Sequence, residues 1–264
     1  MKTKIQGGTI IAFKDEEHRI LEDGEIVFED DRIVFVGKTY EGEADSVVDA
    51  SGQIISPGLI NMHALASTSV THLALDGPGY ALEVGEKYAR EGTGNLDLDK
   101  EEIRVTSEFA LAELIKGGST TVVGITPMAN SRWQSPLEES QILAETAGKL
   151  GARAYISHQY RSAIKYKDDR RKTRYNWNEE EGAKGLKKAI EFCEEYHGAF
   201  DDRLRTMLFP YQFETCSLEL LRKTKRAATE NGWLIHMHAA EFLSQLRESL
   251  RQYDKTPVQC LDDL

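Results

Sequence analysis

The strongest constraint on this chain is an alternation that begins near Ile54. Apolar runs rich in Val, Ile, Leu and Phe recur at 53–62, 120–126, 152–157, 203–209 and 233–238, and each reads as a strand. Amphipathic stretches lie between or after them at 100–116, 136–150, 179–196, 217–230 and 242–253. Four of these stop at residues that favour helix C-termini: Gly117-Gly118, Gly151, Gly198 and Asn231-Gly232. Strands alternating with helices predict a parallel sheet with helical crossovers, either an open doubly wound sheet or a β/α barrel. No GxGxxG follows any strand, so nothing points to a dinucleotide fold. A closed barrel takes eight βα units and ~250 residues, whereas residues 57–264 offer only about five.

Residues 1–56 follow a different pattern. GGTIIAF, GEIVFEDDRIVFVG and SVVDASGQIIS are β-rich runs punctuated by Gly and Asp, with no helical period. The segment 25–37 reads as a hairpin with Glu29-Asp30-Asp31 at its tip. The expected division is therefore a small all-β part at 1–56 and an α/β part at 57–264.

The acidic balance, 44 Asp and Glu against 33 Lys and Arg with a formal net charge of −11, argues against nucleic acid or an anionic membrane as partner. No apolar run reaches the ~18 residues of a membrane span, and the N-terminal residues lack a secretory pattern. Cys193, Cys216 and Cys260 form no CxxC pairing and read as free thiols, consistent with a cytoplasmic protein. The one locally basic segment, KYKDDRRKTR at 165–174, reads as a solvated loop, or as a lid because Tyr166, Tyr175 and Trp177 interleave with the charge.

Two strand ends carry residue types suited to metal chemistry. The fifth run ends in His236-Met237-His238-Ala239-Ala240-Glu241. Strand alternation puts His236 and His238 on one face, and Glu241 follows His238 by three residues as the chain turns. Imidazole nitrogens suit a divalent transition metal, and a nearby carboxylate can take a proton from metal-activated water. The first run ends in Pro57-Gly58-Leu59-Ile60-Asn61-Met62-His63. Parallel strands share one rim at their C-terminal ends, so His63 and His238 can converge despite their separation in sequence. The same rim logic turns His158, Tyr160 and Arg161 towards a substrate pocket, together with His236. His72 is a further candidate, while His18 and His197 read as surface residues.

A β module, a strand ending PGLINMH and a later strand ending HMHAAE together resemble the amidohydrolase superfamily, in particular its cytosine and guanine deaminases and its triazine, phenylurea and molinate hydrolases. The resemblance runs over the whole chain. It implies a (β/α)8 TIM-type barrel with an N-terminal β-sandwich part. It also implies hydrolysis of a C–N bond in an amide, urea, carbamate or amino-heterocycle by a metal-activated water. His63 and His238 match metal ligands and Glu241 the acid/base. The implied cofactor is one divalent ion, zinc first and iron or manganese next; the implied partner is a small-molecule substrate.

Two departures stand against this pattern. The first-strand motif is usually HxH, but here Leu65 occupies the second position and offers no donor. Asn61 shares the face of His63 and is a candidate replacement. The chain also stops one helix past the fifth strand, before the sixth-strand histidine and eighth-strand aspartate that the resemblance implies. The alternative is a non-catalytic, truncated or degenerate relative that needs a partner chain or the missing part. An open sheet edge favours association, with a homo-oligomer expected.

Overall fold

The structure is a computed structural model that describes residues 1–14, 16–66, 98–126, 132–170 and 172–264; His72 lies outside them. The chain forms two units, Met1–Leu59 and Ile60–Leu264.

The first unit is one mixed sheet. Strands β1 (Lys2–Lys14), β2 (Glu17–Glu29) and β3 (Arg32–Gly37) form an antiparallel meander. The β2–β3 turn falls at Asp30 and Asp31, the acidic tip read from the sequence. Strands β4 (Ser46–Asp49) and β5 (Ile54–Ile55) pair in parallel with successive parts of β1. Gly7, at φ +80°, sits where the β1–β2 register shifts, a backbone conformation that glycine adopts without steric cost. A second layer that would make this sheet a sandwich is absent among the described residues.

The second unit carries the βα alternation. Its strands are β6 (Leu59–Leu65), β7 (Ser119–Ile125), β8 (Arg153–Tyr160), β11 (Leu204–Pro210) and β12 (Leu234–Ile235). They lie in the order β12-β11-β8-β7-β6 in a curled half-barrel sheet. The β7·β8, β8·β11 and β11·β12 pairings are parallel. Helices α1 (Lys100–Lys116), α2 (Leu137–Leu150), α3 (Glu179–Tyr196) and α4 (Leu218–Asn231) supply the crossovers, and α5 (Leu243–Tyr253) and α6 (Pro257–Asp262) follow β12. Local chemistry sets the helix ends. Asp99 and Glu102 form a reciprocal capping box on α1, Asn178 and Ser217 accept from the first turns of α3 and α4, and Gly151 and Gly232 close α2 and α4 in the left-handed region.

Alternation along the strands decides which side chains meet the helices. Ala64 and Ala66 of the β6 end, Val122 of β7, Ala154 and Ile156 of β8 and Leu204 of β11 pack with Leu143, Ala144 and Phe192 of the helices. Residues of opposite parity turn to the other face: Asn61, His63 and Leu65 on β6, Ser157 and Gln159 on β8, and Phe209 on β11.

Three expectations change here. The basic segment is no loop: β9 (Ala163–Lys167) and β10 (Thr173–Trp177) form an antiparallel ribbon whose turn is held by the Asp168 carboxylate. The fifth strand is short, with only Leu234 and Ile235 paired, so His236–His238 lie just past it. His197 is not a free surface residue; its Nδ1 faces the Thr206 hydroxyl at 3.0 Å at the end of α3. The three cysteines are free and buried. No helix among the described residues is long and apolar enough to cross a membrane.

Candidate metal centre

Past β12 the backbone continues its pairing for one more bond, with the His236 N–H donating to the Leu208 carbonyl at 2.9 Å. The Phe213 N–H then donates to the His238 carbonyl at 3.0 Å. These two bonds hold the HMH segment against the end of β11. Across from it, His63 projects from β6, its own N–H tied to the Asn61 side-chain oxygen at 3.0 Å.

Three imidazoles converge. One ligand nitrogen from each of His63, His236 and His238 lies within 4.8 Å of the others. His63 Nδ1 and His236 Nε2 are 3.1 Å apart, and the His63 and His238 ring centroids are 4.9 Å apart. Phe209 stands edge-on to His236 at 5.0 Å, and Tyr211 lies 5.3 Å from His238. This aromatic wall fixes both rings. The chain turns sharply after His238 through Ala240, at φ +58°, a left-handed conformation that costs an alanine roughly 1–2 kcal/mol. The turn brings the Glu241 carboxylate to 3.1 Å from His238 Nδ1.

The electrostatics favour neutral rings at His236 and His238. Burial, together with the neighbouring histidines, pushes His236 down to about 4. Burial also lowers His238, an effect that the Glu241 carboxylate opposes. A neutral imidazole is the form that binds metal. With Nδ1–H donated to Glu241, the lone pair of His238 is left on Nε2, which is buried and has no hydrogen-bond partner. Metal-bound histidines make this outer contact to a carboxylate. Tetrahedral ligands at ~2.1 Å from an ion stand about 3.4 Å apart, so the three nitrogens, with one pair at 3.1 Å and all within 4.8 Å, suit a divalent cation after small shifts. The residues present therefore fit a metal, and the orphaned His238 Nε2 is the observation that carries the fit.

The other expected site residues go elsewhere. His158 and Tyr160 share the parity of Ala154 and Ile156 and face the helices, not the pocket. His158 is fully buried, donates from Nε2 to Gln134 at 3.3 Å and accepts the Ser135 hydroxyl at Nδ1 at 3.2 Å; burial holds it down to about 4. The Tyr160 hydroxyl meets that of Thr224 on α4 at 2.8 Å. Arg161 is buried, donating through Nε and Nη2 to the Arg132 carbonyl, and its guanidinium stands 6.0 Å from the Tyr211 ring. The Asn61 oxygen accepts the His63 backbone N–H at 3.0 Å. His236, expected to meet substrate, stands among the nitrogen donors instead. Phe209 and Tyr211 were not singled out from the sequence, although the aromatic end of the fourth run, FPYQF, signals them.

A profile of the Amidohydrolase family matches residues 54–260. The chain is 30% identical over 247 residues to a 5'-deoxyadenosine deaminase of Methanosarcina acetivorans, covering 92% of this chain and 50% of the relative. It is 31% identical over 268 residues to a 5-methylthioadenosine/S-adenosylhomocysteine deaminase of Bacillus cereus, covering 98% of this chain and 54% of the relative. Among solved structures, an atrazine chlorohydrolase variant of Arthrobacter aurescens complexed with zinc and atraton matches at a TM-score of 0.75 and 21% identity, over 99% of this chain and 58% of that one. A guanine deaminase of C. acetobutylicum with bound guanine matches at 0.72 and 18%, over 100% and 59%. The chain belongs to the amidohydrolase family. It spans about half the length of the curated relatives it matches.

Proposed function

We propose that the chain carries the catalytic centre of a metal-dependent hydrolase that cleaves a C–N bond in a small molecule, with amino-purine nucleosides the first substrates to test. The convergence of His63, His236 and His238, with Glu241 at 3.1 Å from His238, carries the proposal. The relatives named above, deaminases of adenosine-type compounds, support it. His63 and His238 would hold a zinc ion, with iron or manganese as alternatives, and the ion would supply Lewis-acid activation of water, whose pKa it would lower towards ~7.

The chain's own groups do the rest. Glu241 accepts the proton lost by the attacking water and returns it to the departing nitrogen, so that water and an amino-substituted carbon become a carbonyl and ammonia. It also orients His238, because one carboxylate oxygen holds the Nδ1–H. Phe209, fully buried, backs the two histidine rings, and Tyr211 sets an aromatic ring beside His238. The net charge of −11 favours a small neutral or cationic substrate over a polyanion.

Ammonia release from adenosine, deoxyadenosine and guanine by the zinc-loaded protein tests this. Glu241→Gln is expected to abolish turnover while leaving zinc affinity within about tenfold of wild type. Full activity in that variant removes Glu241 from its role. A fall in affinity of 10–100-fold with turnover retained makes Glu241 a positioning residue only.

Leu59, Ile60 and Met62 on β6 and Leu234 and Ile235 on β12 are exposed apolar side chains on the two outer strands, and they favour a second reading. In it, another polypeptide, a second copy included, covers these strands before the centre works. Activity per chain that rises with protein concentration supports this; activity independent of concentration in a monomer counts against it.

A further inference from the structure

We infer that His236 supplies the metal-binding imidazole that Leu65 cannot, making a three-histidine centre drawn only from β6 and the end of β12. This rests on the reading above that a divalent cation is held there. Asn61, His63 and Leu65 share one face of β6, because Ala64 and Ala66 between and beyond them pack against the helices. The donor expected two residues after His63 is therefore replaced by a hydrocarbon on the ligand side of the strand. One lone pair of the Asn61 oxygen is already used by the His63 N–H at 3.0 Å.

His236 stands where a donor is needed. Its Nε2 is 3.1 Å from His63 Nδ1, and its nitrogen, with those of His63 and His238, closes a group within 4.8 Å. Two contacts set this position: the backbone bond from His236 to Leu208 at 2.9 Å, and Phe209 edge-on to the ring at 5.0 Å. His238, whose Nε2 is buried and unpartnered, belongs to the same group. Three imidazoles with a fourth position open to water or substrate are a donor set for zinc or cobalt, not for oxygen-seeking magnesium or calcium. The ion would be held by strand ends that neighbour in space without being paired to each other, so binding it also ties the two outer strands together.

Titration of the metal-free protein with zinc and with cobalt(II), followed by calorimetry and by the visible absorption of cobalt, tests this without reference to turnover. Wild type is expected to bind one ion. His236→Ala is expected to weaken binding by more than about 100-fold, beyond the 10–100-fold that loss of an outer partner costs. It should also shift the cobalt spectrum. Adding Leu65→His to His236→Ala is expected to recover at least about tenfold of the lost affinity by returning a donor on the same face. If His236→Ala does not fold, His236→Gln keeps the bulk of the ring and answers the same question. Wild-type affinity and an unchanged spectrum in the His236 variants overturn the inference. If the same experiment on His63→Ala and His238→Ala shows lost binding, only the role of His236 fails. If those two also bind as wild type, the metal centre itself fails.

Discussion

Replacing Gly185 by alanine sets two opposed effects of known size against each other. Gly185 lies on the buried side of α3, and a Cβ built there would stand 2.5 Å from the Tyr160 Cβ and 3.6 Å from its Cα. Carbon atoms reach optimal contact at ~3.5–4.0 Å, so α3 and β8 must part by about 1 Å. Tyr160 cannot swing aside. The atom met is its Cβ, fixed to the strand, and its hydroxyl is bound to Thr224. Overpacking of this kind costs ~1–3 kcal/mol. Against it stands the gain of ~1 kcal/mol from replacing glycine in a helix. An approach of 2.5 Å to an atom fixed to the strand belongs in the upper part of that range, ~2–3 kcal/mol, so the expected net loss is about 1–2 kcal/mol, or roughly 2–8 °C in Tm. Thermal and urea unfolding followed by circular dichroism measure it. A Tm equal to or above wild type would mean that helix propensity wins and that α3 does not press on β8 as closely as described.

Tyr160→Phe is expected to lower stability by about 1–2 kcal/mol through loss of the buried bond to Thr224, with KM unchanged; a raised KM at unchanged stability would return Tyr160 to the substrate site. Glu139 gives a pH dependence. Burial pushes its carboxyl up to about 7 from an ordinary 4.5, so the native state holds the proton more tightly than the unfolded chain. Its stabilising contribution is therefore complete below about pH 4.5 and is lost as pH rises through about 7. The urea midpoint of wild type relative to Glu139→Gln should fall between pH 5 and pH 8; a constant difference would show that the carboxyl titrates alike in both states.

Much of the architecture was legible because its signals are local. The α1 and α3 limits follow from caps at Asp99 and Asn178 and from glycines beyond the helix ends. The β9–β10 ribbon escaped notice because a two-stranded ribbon with exposed charged residues buries no continuous face, so alternation of apolar and polar residues is missing. The short helix α6, begun by a Thr256–Gln259 capping box, falls below the length at which helical periodicity can be seen.

The site was legible in part. The spacing brings Glu241 beside His238, because the chain turns back at Ala240 between them. His158 and Tyr160 went astray for a reason also present in the sequence. Nearness to a strand end says which rim a residue is on, but parity says which face, and Ala154 and Ile156 already mark that face as the helix side. The grouping of His236 with His63 depends on a contact 173 residues apart in sequence, which no local pattern encodes.

The central claim is that His63, His236 and His238 form a metal centre. Elemental analysis of the purified 264-residue chain, with its thermal unfolding in the presence and absence of chelator, tests it most directly. The account predicts one equivalent of zinc, iron or manganese per chain. Reloading to free metal at 100-fold over the dissociation constant should stabilise the fold by about 2.7 kcal/mol. Less than a tenth of an equivalent, with no change in Tm on adding zinc, would contradict it.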